Sequence, residues 1–201
     1  MNRILALLLL ASSVVLAKPL SAPFTHDGLF ANAAVGLGNA YFENANGEDF
    51  LTADGLGAKL HGKLGYYVVR NFALHVNLNY VMYSNFRESR NDVALYLDHE
   101  FCVLSSLYLG AGATYYVPGW HDVFFSGSLG VTGYATHNRR FKGNTGLRAF
   151  SFDVEVGKDW WVNEHLTLGA SISFDSGEYW SDDDGVFRSS AIMLMFSFTL
   201  H

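Results

Sequence analysis

Large apolar side chains recur at every second position through eight stretches of this chain. The period of two is that of a β-strand, whose successive side chains point to opposite faces. The stretches run near 28–41, 55–69, 72–84, 104–117, 122–135, 148–161, 165–178 and 188–200. One face of the second stretch reads Leu56, Ala58, Leu60, Gly62, Leu64, Tyr66 and Val68. In the fourth it reads Leu107, Leu109, Ala111, Ala113, Tyr115 and Val117. The last stretch is the clearest, with Ile192, Leu194, Phe196, Phe198 and Leu200 in phase and His201 following them. Through the middle of each stretch this face carries no charge and no hydroxyl other than tyrosine; Lys158, Glu178 and Arg188 fall only toward the ends.

The opposite face is polar. It offers Lys59, His61 and Lys63, then His75, Asn77 and Asn79, then Ser126 and Ser128. Later stretches add Asp153 and Glu155, then Ser171, Ser173 and Asp175. Eight strands of this pattern predict an all-β fold, an antiparallel up-and-down barrel of eight strands. Two barrels share the pattern. A lipocalin-like barrel, soluble in the periplasm, keeps the apolar face inside around a ligand. A transmembrane barrel turns it outward to lipid. The few charges, interleaved with Gly and Ser, would make a poor water-facing exterior. The apolar face is also unbroken on every strand, more than one ligand cavity needs. Both facts favour the transmembrane barrel, with the soluble one as the alternative.

The connections fit that choice. Arg70-Asn71, Pro118-Gly119-Trp120-His121 and Val162-Asn163-Glu164 are short, whereas 42–54, 85–103, 136–147 and 179–187 are longer. With an even strand count both chain ends fall at the short-turn end, the periplasmic side of such barrels. Aromatics gather at both predicted interfaces: Tyr66, Phe72, Tyr115, Trp120, Trp160 and Trp161 near the short turns, and Tyr41, Tyr83, Tyr134, Phe150 and Trp180 near the long loops. Amphipathic rings prefer those levels. Lys158 fits the periplasmic rim as a snorkelling residue.

Composition sets the compartment. Residues 1–17 read as a signal peptide, with Arg3, an apolar run from Ile4 to Leu10 and a small-residue site at Val15-Leu16-Ala17. Residues 18–27 would then be a short periplasmic segment and 28–201 the barrel. The run is too short to span a bilayer as a helix, and no other stretch is long enough. The formal net charge is −6, and basic residues cluster only in one short loop, which argues against nucleic acid as a partner. Twenty glycines, three prolines and thirty-one aromatics suit strands and turns. The one cysteine, Cys102, cannot form an internal disulfide and reads as a small buried or loop thiol.

Three segments carry a family resemblance: His26-Asp27-Gly28, Tyr108-Leu109-Gly110-Ala111-Gly112 and Val156-Gly157-Lys158-Asp159-Trp160-Trp161. With the eight-strand layout they make the chain resemble the small outer-membrane barrels of the protein A, X and W kinds, and the generic outer-membrane β-barrel domain proteins. The resemblance implies a bacterial outer-membrane location. It also implies biogenesis through periplasmic chaperones and the barrel-assembly machinery, and a monomer in contact with outer-membrane lipids. Such barrels usually end on an aromatic read by that machinery. Here Phe198 and Leu200 are in phase and His201 follows, a departure from the pattern.

Candidate chemistry lies on the polar face. Counted up from the short turns, Lys63 is level with Glu155, and Lys59 lies near Asp153 and Asp175. Strands two and six stand on opposite sides of an eight-stranded barrel, so these side chains can cross the lumen. An interior ion-pair network of Lys59, Lys63, Asp153, Glu155 and Asp175, with His61 and His75 as neighbours, is expected, since interior charges must be paired or hydrated. It reads as a plug, with a narrow ion path as the alternative. Glycines 62, 127 and 133 on the lipid face raise a third reading, passage of small apolar solutes through a lateral opening. The loops carry unlike charges. Arg139, Arg140 and Lys142 could contact lipopolysaccharide phosphates. Glu43, Glu48, Asp49 and Asp54 adjoin Glu178 and Asp182 to Asp184, an acidic group that could hold a divalent cation, but its spacing is not that of an EF-hand and the favoured reading is solvated loop charge. No zinc motif, phosphate loop or nucleophile elbow is present. No cofactor, metal or catalytic residue is therefore assigned, and the expected role is an envelope scaffold without catalysis.

Overall fold

The computed structural model describes residues 24–46, 49–90, 93–95, 103–137, 148–181 and 185–201. The described residues form strands joined by turns, with no helix among them. The strands are β1 (Leu29–Asn46), β2 (Asp49–Val69), β3 (Phe72–Arg90), β4 (Val93–Leu95), β5 (Val103–Tyr116), β6 (Val123–His137), β7 (Arg148–Trp161), β8 (Leu166–Ser181) and β9 (Gly185–Leu200). Every pairing is antiparallel between chain neighbours except two. β3 passes over the three-residue β4 to pair with β5, and β1 pairs with β9 from Ala31↔Leu200 to Ala45↔Val186. The β1–β9 seam closes eight long strands into a barrel without an edge, and β4 is a short hairpin arm on β3.

Alternation sets which side chains point out. Leu64, Leu37, Leu129, Phe150 and Phe198 are all at least 60 % exposed, whereas Lys59, Asn77, Asp153 and Ser173 on the other parity are 0 % exposed. The barrel is thus apolar outside and polar inside, and this overturns the soluble ligand-binding barrel. A water-facing exterior of leucine, valine and phenylalanine on every strand has no counterpart in soluble monomers, whose exposed apolar patches are small. About 9–11 tilted residues cross a bilayer, and each long strand exceeds that length.

Strand lengths correct one expectation. The connections at 42–54 and 85–103 are largely strand: β1 and β2 stay paired to Asn46↔Asp49, and β3 continues to Arg90. The reason lies in the solvent. Above the lipid both faces of a strand meet water, so the apolar period stops while the backbone ladder continues. Arg188 on β9 faces Glu43 on β1 and Glu178 on β8, and its Nε lies 2.9 Å from Glu178 Oε1. Part of the acidic group therefore has a basic partner, at an exposed site where such a pair adds little stability. Glu48 and Asp182 to Asp184 lie outside the described residues.

The glycines read as kinks do not interrupt the wall. Gly62 pairs with Ala33 and Leu78, and Gly127 with Ala113 and Val154, in unbroken register. Register shifts fall instead between Asp54 and Leu56 and between Tyr67 and Val69 on β2. Inward glycines do a different job. A side chain on Gly36 would begin where Met195 Sδ already stands, so the bare backbone of β1 makes room for a methionine of β9. Flexible methionines suit such irregular gaps.

Candidate functional site

The lumen is filled in three levels, each built from the inward parity of several strands. The uppermost is apolar: Met193, Ala40, Ala149 and Ala191 pack with Tyr134 and Phe42, and the same cluster continues down beside the charges through Val81, Met195 and Ala34. The Tyr134 hydroxyl is hydrogen-bonded to that of Ser189.

The middle level holds the charges. Lys59 Nζ on β2 lies 2.7 Å from Asp153 Oδ2 on β7 and 2.8 Å from both Asp175 oxygens on β8. It also donates to Ser173 Oγ at 3.2 Å. Asn79 Nδ2 on β3 reaches both carboxylates at 3.3 Å, and Asn77 Nδ2 reaches Asp153 Oδ1 at 3.3 Å. One turn of the ladder lower, Lys63 Nζ lies 2.5 Å from Glu155 Oε2 and 2.9 Å from Ser126 Oγ. Ser126 accepts from Thr114, which in turn is 3.0 Å from His75 Nε2. His61 Nδ1 is 3.9 Å from Glu155 Oε2. The structure thus brings all seven sequence-derived interior residues into the lumen, in two adjacent clusters around Lys59 and around Lys63, with His61 beside Glu155. Asn77, Asn79, Ser126, Ser128, Thr114 and Ser173 complete them.

Physical reasons place them there. Register pairs Lys59 with Val81 and Lys63 with Asn77 on one side, and Asp153 with Asp175 on the other. The eight-stranded lumen is narrow enough for a lysine to cross. Two lysines face three carboxylates, and serine and asparagine donors serve the remaining oxygens. His61, Asp153 and Glu155 each offer one atom within 4.8 Å of the others, a spacing that could hold a metal ion. Two ammonium groups already stand on those carboxylates, and their charge opposes a further cation.

The lowest level closes the mouth at the short-turn end, and sequence reasoning missed it. Tyr116 Oη donates to Asp159 Oδ2 at 2.7 Å, and Thr167 Oγ1 donates to the same oxygen at 3.1 Å. Phe30, Tyr67, Ala73 and Phe124 pack around them. His26, from the segment before β1, stacks on Tyr116 with ring centroids 3.7 Å apart. Trp161 turns to these rings, 5.2 Å from His26 and 4.8 Å from His201, instead of standing in the interface belt with Trp160. His201 is buried and continues the inward parity of Met193, Met195, Ser197 and Thr199. Parity could have found His201 and Asp159, which is in phase with Asp153 and Glu155. His26 lies outside any strand, so no alternation pointed to a place in the lumen for it. Arg139, Arg140 and Lys142 fall outside the described residues.

No protein-family model matches the chain, and no curated protein matches it in sequence. Solved structures do match in fold. Neisserial surface protein A aligns at TM-score 0.50 and 16% identity, over 84% of this chain and 95% of that one. OprG from Pseudomonas aeruginosa aligns at TM-score 0.47 and 13% identity, over 88% and 98%. Ail of Yersinia pestis aligns at 0.44 and 11%, over 87% and 99%. The first of these matches shares the fold and little sequence. Together with the apolar exterior, the polar lumen and the closed eight-strand wall, it makes this chain a transmembrane β-barrel of the outer-membrane type.

Proposed function

We propose that the protein is an integral component of the bacterial outer membrane that acts as a closed scaffold, holding surface segments on a barrel whose lumen is plugged by its own side chains. The observation that carries this reading is the pair of cross-lumen bridges. Lys59 to Asp153 and Asp175, and Lys63 to Glu155, tie opposite walls together. A packed aromatic and histidine level lies below them, so an ion would have to break both. The exported N-terminus and an envelope role without catalysis belong to the same proposal. So does a monomeric state, with lipids and the assembly machinery as the partners.

Planar-bilayer recording tests the plug. The wild-type barrel is expected to show no steady conductance, and Lys63→Ala is expected to stay closed, because the lower level remains intact. Stepwise openings in Lys63→Ala would favour the second reading, a narrow ion path. That reading has its own support. Both His61 ring nitrogens and the Asn32, Asn77 and Asn79 side-chain oxygens are buried away from protein partners. Buried polar atoms need a partner, and here it would be water. The solute reading is supported less. A hollow of about 440 Å³ lies on the lipid side over Ala33 and Gly62, walled by Leu60, Leu78, Tyr80 and Phe196. The β1–β2 ladder runs unbroken beneath it.

The basic segment at 137–148 supports contact with lipopolysaccharide phosphates through Arg139, Arg140 and Lys142. The Arg139→Ala/Arg140→Ala double variant is expected to lose lipopolysaccharide binding in micelles while keeping the folded, heat-modifiable band. Undiminished binding would remove that part of the proposal.

A further inference from the structure

Residues 24–28 run across the mouth at the short-turn end and belong to no strand. They are tied to all three short turns. The Phe24 N–H donates to Glu164 O in the β7–β8 turn, and the Asn71 N–H of the β2–β3 turn donates to His26 O, both at 3.0 Å. The His26 side chain reaches the third turn. Its Nε2–H donates to Asp122 Oδ1 of the β5–β6 turn at 3.1 Å, since a carboxylate only accepts. Its Nδ1 is hydrogen-bonded to Nδ1 of His201, just past the end of β9, at 3.1 Å. Phe24 meets Trp161 edge to face, with ring centroids 5.8 Å apart.

What this segment covers is the lowest level of the lumen. With His26 in place, Tyr67, Tyr116, Asp159 and His201 are each at most 4 % exposed. Those four side chains stand on paired strands or at the end of one, so they move only with the wall. His26 hangs instead on a segment that precedes the first ladder pairing, Leu29↔Tyr66. Swinging residues 24–27 outward therefore breaks no strand pairing.

Backbone geometry marks both ends of such a swing. Gly28, directly before β1, has φ of 83°, a conformation glycine adopts without cost and a suitable hinge. Phe24, at the other end, has φ of 54°, a left-handed backbone that a bulky residue rarely takes. The receiving side matches. Asn71 and Asp122, which hold His26, are left-handed too, with φ of 67° and 64°. Strained conformations persist where the surroundings over-determine them, and they gather at clamps and switch regions. Here both halves of one clasp carry them.

We propose that residues 24–28 form a hinged strap that gates the mouth, turning about Gly28 and controlling access from the short-turn side to Asp159 and the lower lumen. This rests on the closed-lumen reading above and adds a movable part to it. The lysine bridges close the waist of the barrel with groups fixed on the wall, and the strap closes its mouth with a group that is not.

Two measurements test the gate. Amide hydrogen exchange of the folded wild-type barrel in micelles compares three neighbouring groups. The Asn71 N–H is held by the strap, the Tyr67 N–H by Gly28 O at the hinge, and the Tyr116 N–H by Asn71 O within the wall. Asn71 should exchange about tenfold or more faster than the other two, because a local opening needs less free energy than unpairing a strand. The second measurement reads access. Ser197, which stands with Asp159 over Gly169 and is 2 % exposed, is replaced by cysteine in a Cys102→Ser background, and a charged, water-soluble thiol reagent is added. An open state populated at roughly 0.1–10 % holds labelling to about that fraction of an open mouth's rate, so His26→Ala should speed labelling by about tenfold or more. His121→Asn, an exposed change in the same turn as Asp122, should label as the parent does. Where His26→Ala gives no heat-modifiable folded band, the exchange measurement on wild type decides alone. Equal exchange at all three amides, or unchanged labelling in folded His26→Ala, would overturn the gate and leave the plug standing. Steady conductance in wild type would instead overturn the plug, with the exchange result still deciding the strap.

Discussion

Replacing Lys59 by methionine is expected to destabilise the folded barrel by about 3–5 kcal/mol, the usual cost of removing one partner from a buried ion pair. Lys59 is fully buried and is the cation nearest two carboxylates at once, Asp153 and Asp175. Without it those carboxylates face each other across paired strands at Asp153↔Asp175, with only the Asn77 and Asn79 amides and nearby hydroxyls to hold them. Methionine keeps most of the volume, so the loss reports charge and not a cavity. Urea unfolding in micelles, followed by tryptophan fluorescence and by gel mobility, gives the number. The triple variant Lys59→Met/Asp153→Asn/Asp175→Asn should recover much of the loss, because neutral partners leave no uncompensated charge. A Lys59→Met barrel as stable as wild type would mean that the network is hydrated and loosely held, which would favour the ion path over the plug.

Arginine at Leu109 should lower the stability of the membrane-inserted barrel by about 2–4 kcal/mol, the cost of a cation on the lipid face near the bilayer midplane. Leu109 points outward between Leu78 on β3 and Val131 on β6, and all three are at least half exposed. In water that surface would welcome a charge, so the sign of the effect tests the solvent directly. Refolding into bilayers of Leu109→Arg beside wild type measures it. A neutral or stabilising effect would contradict lipid exposure. Arginine at Val69, at the β2 end beside the short Arg70-Asn71 turn, should cost far less, because its head group reaches the interface.

Different parts of this molecule were legible to different degrees. The eight strands and their phase could be read because a bilayer demands an apolar side chain at every outward position, and the demand has the period of the strand itself. The Lys59 and Lys63 network was legible for a related reason: short turns fix the register, and register fixes height in the lumen. Strand ends above the lipid were not legible. From Glu43 to Asn46 and from Ser84 to Arg90 the ladder continues without an apolar period to announce it. The hairpin arm of β4 on β3 is invisible for the same reason. Its place beside a short turn puts Trp161 in the interface belt, yet it packs against His26 and His201 at the mouth.

The mouth itself shows where the one-dimensional pattern stops. His26 and His201 are 175 residues apart, so no spacing motif connects them. His201, read along the chain, departs from the aromatic ending of similar barrels. In the fold it is the next inward residue of β9, held by Tyr67 and Thr167 with its backbone N–H on His165 O. Alternation in the sequence by itself determined the barrel, its strand count, its lipid-facing side and the inward set of charges, because those depend only on period and on short turns. Tertiary structure alone decided which inward groups meet at the ends. Those contacts depend on where the segment before β1 folds and on how the β5–β6 turn aims Asp122. Both are set by packing in three dimensions and leave no period behind.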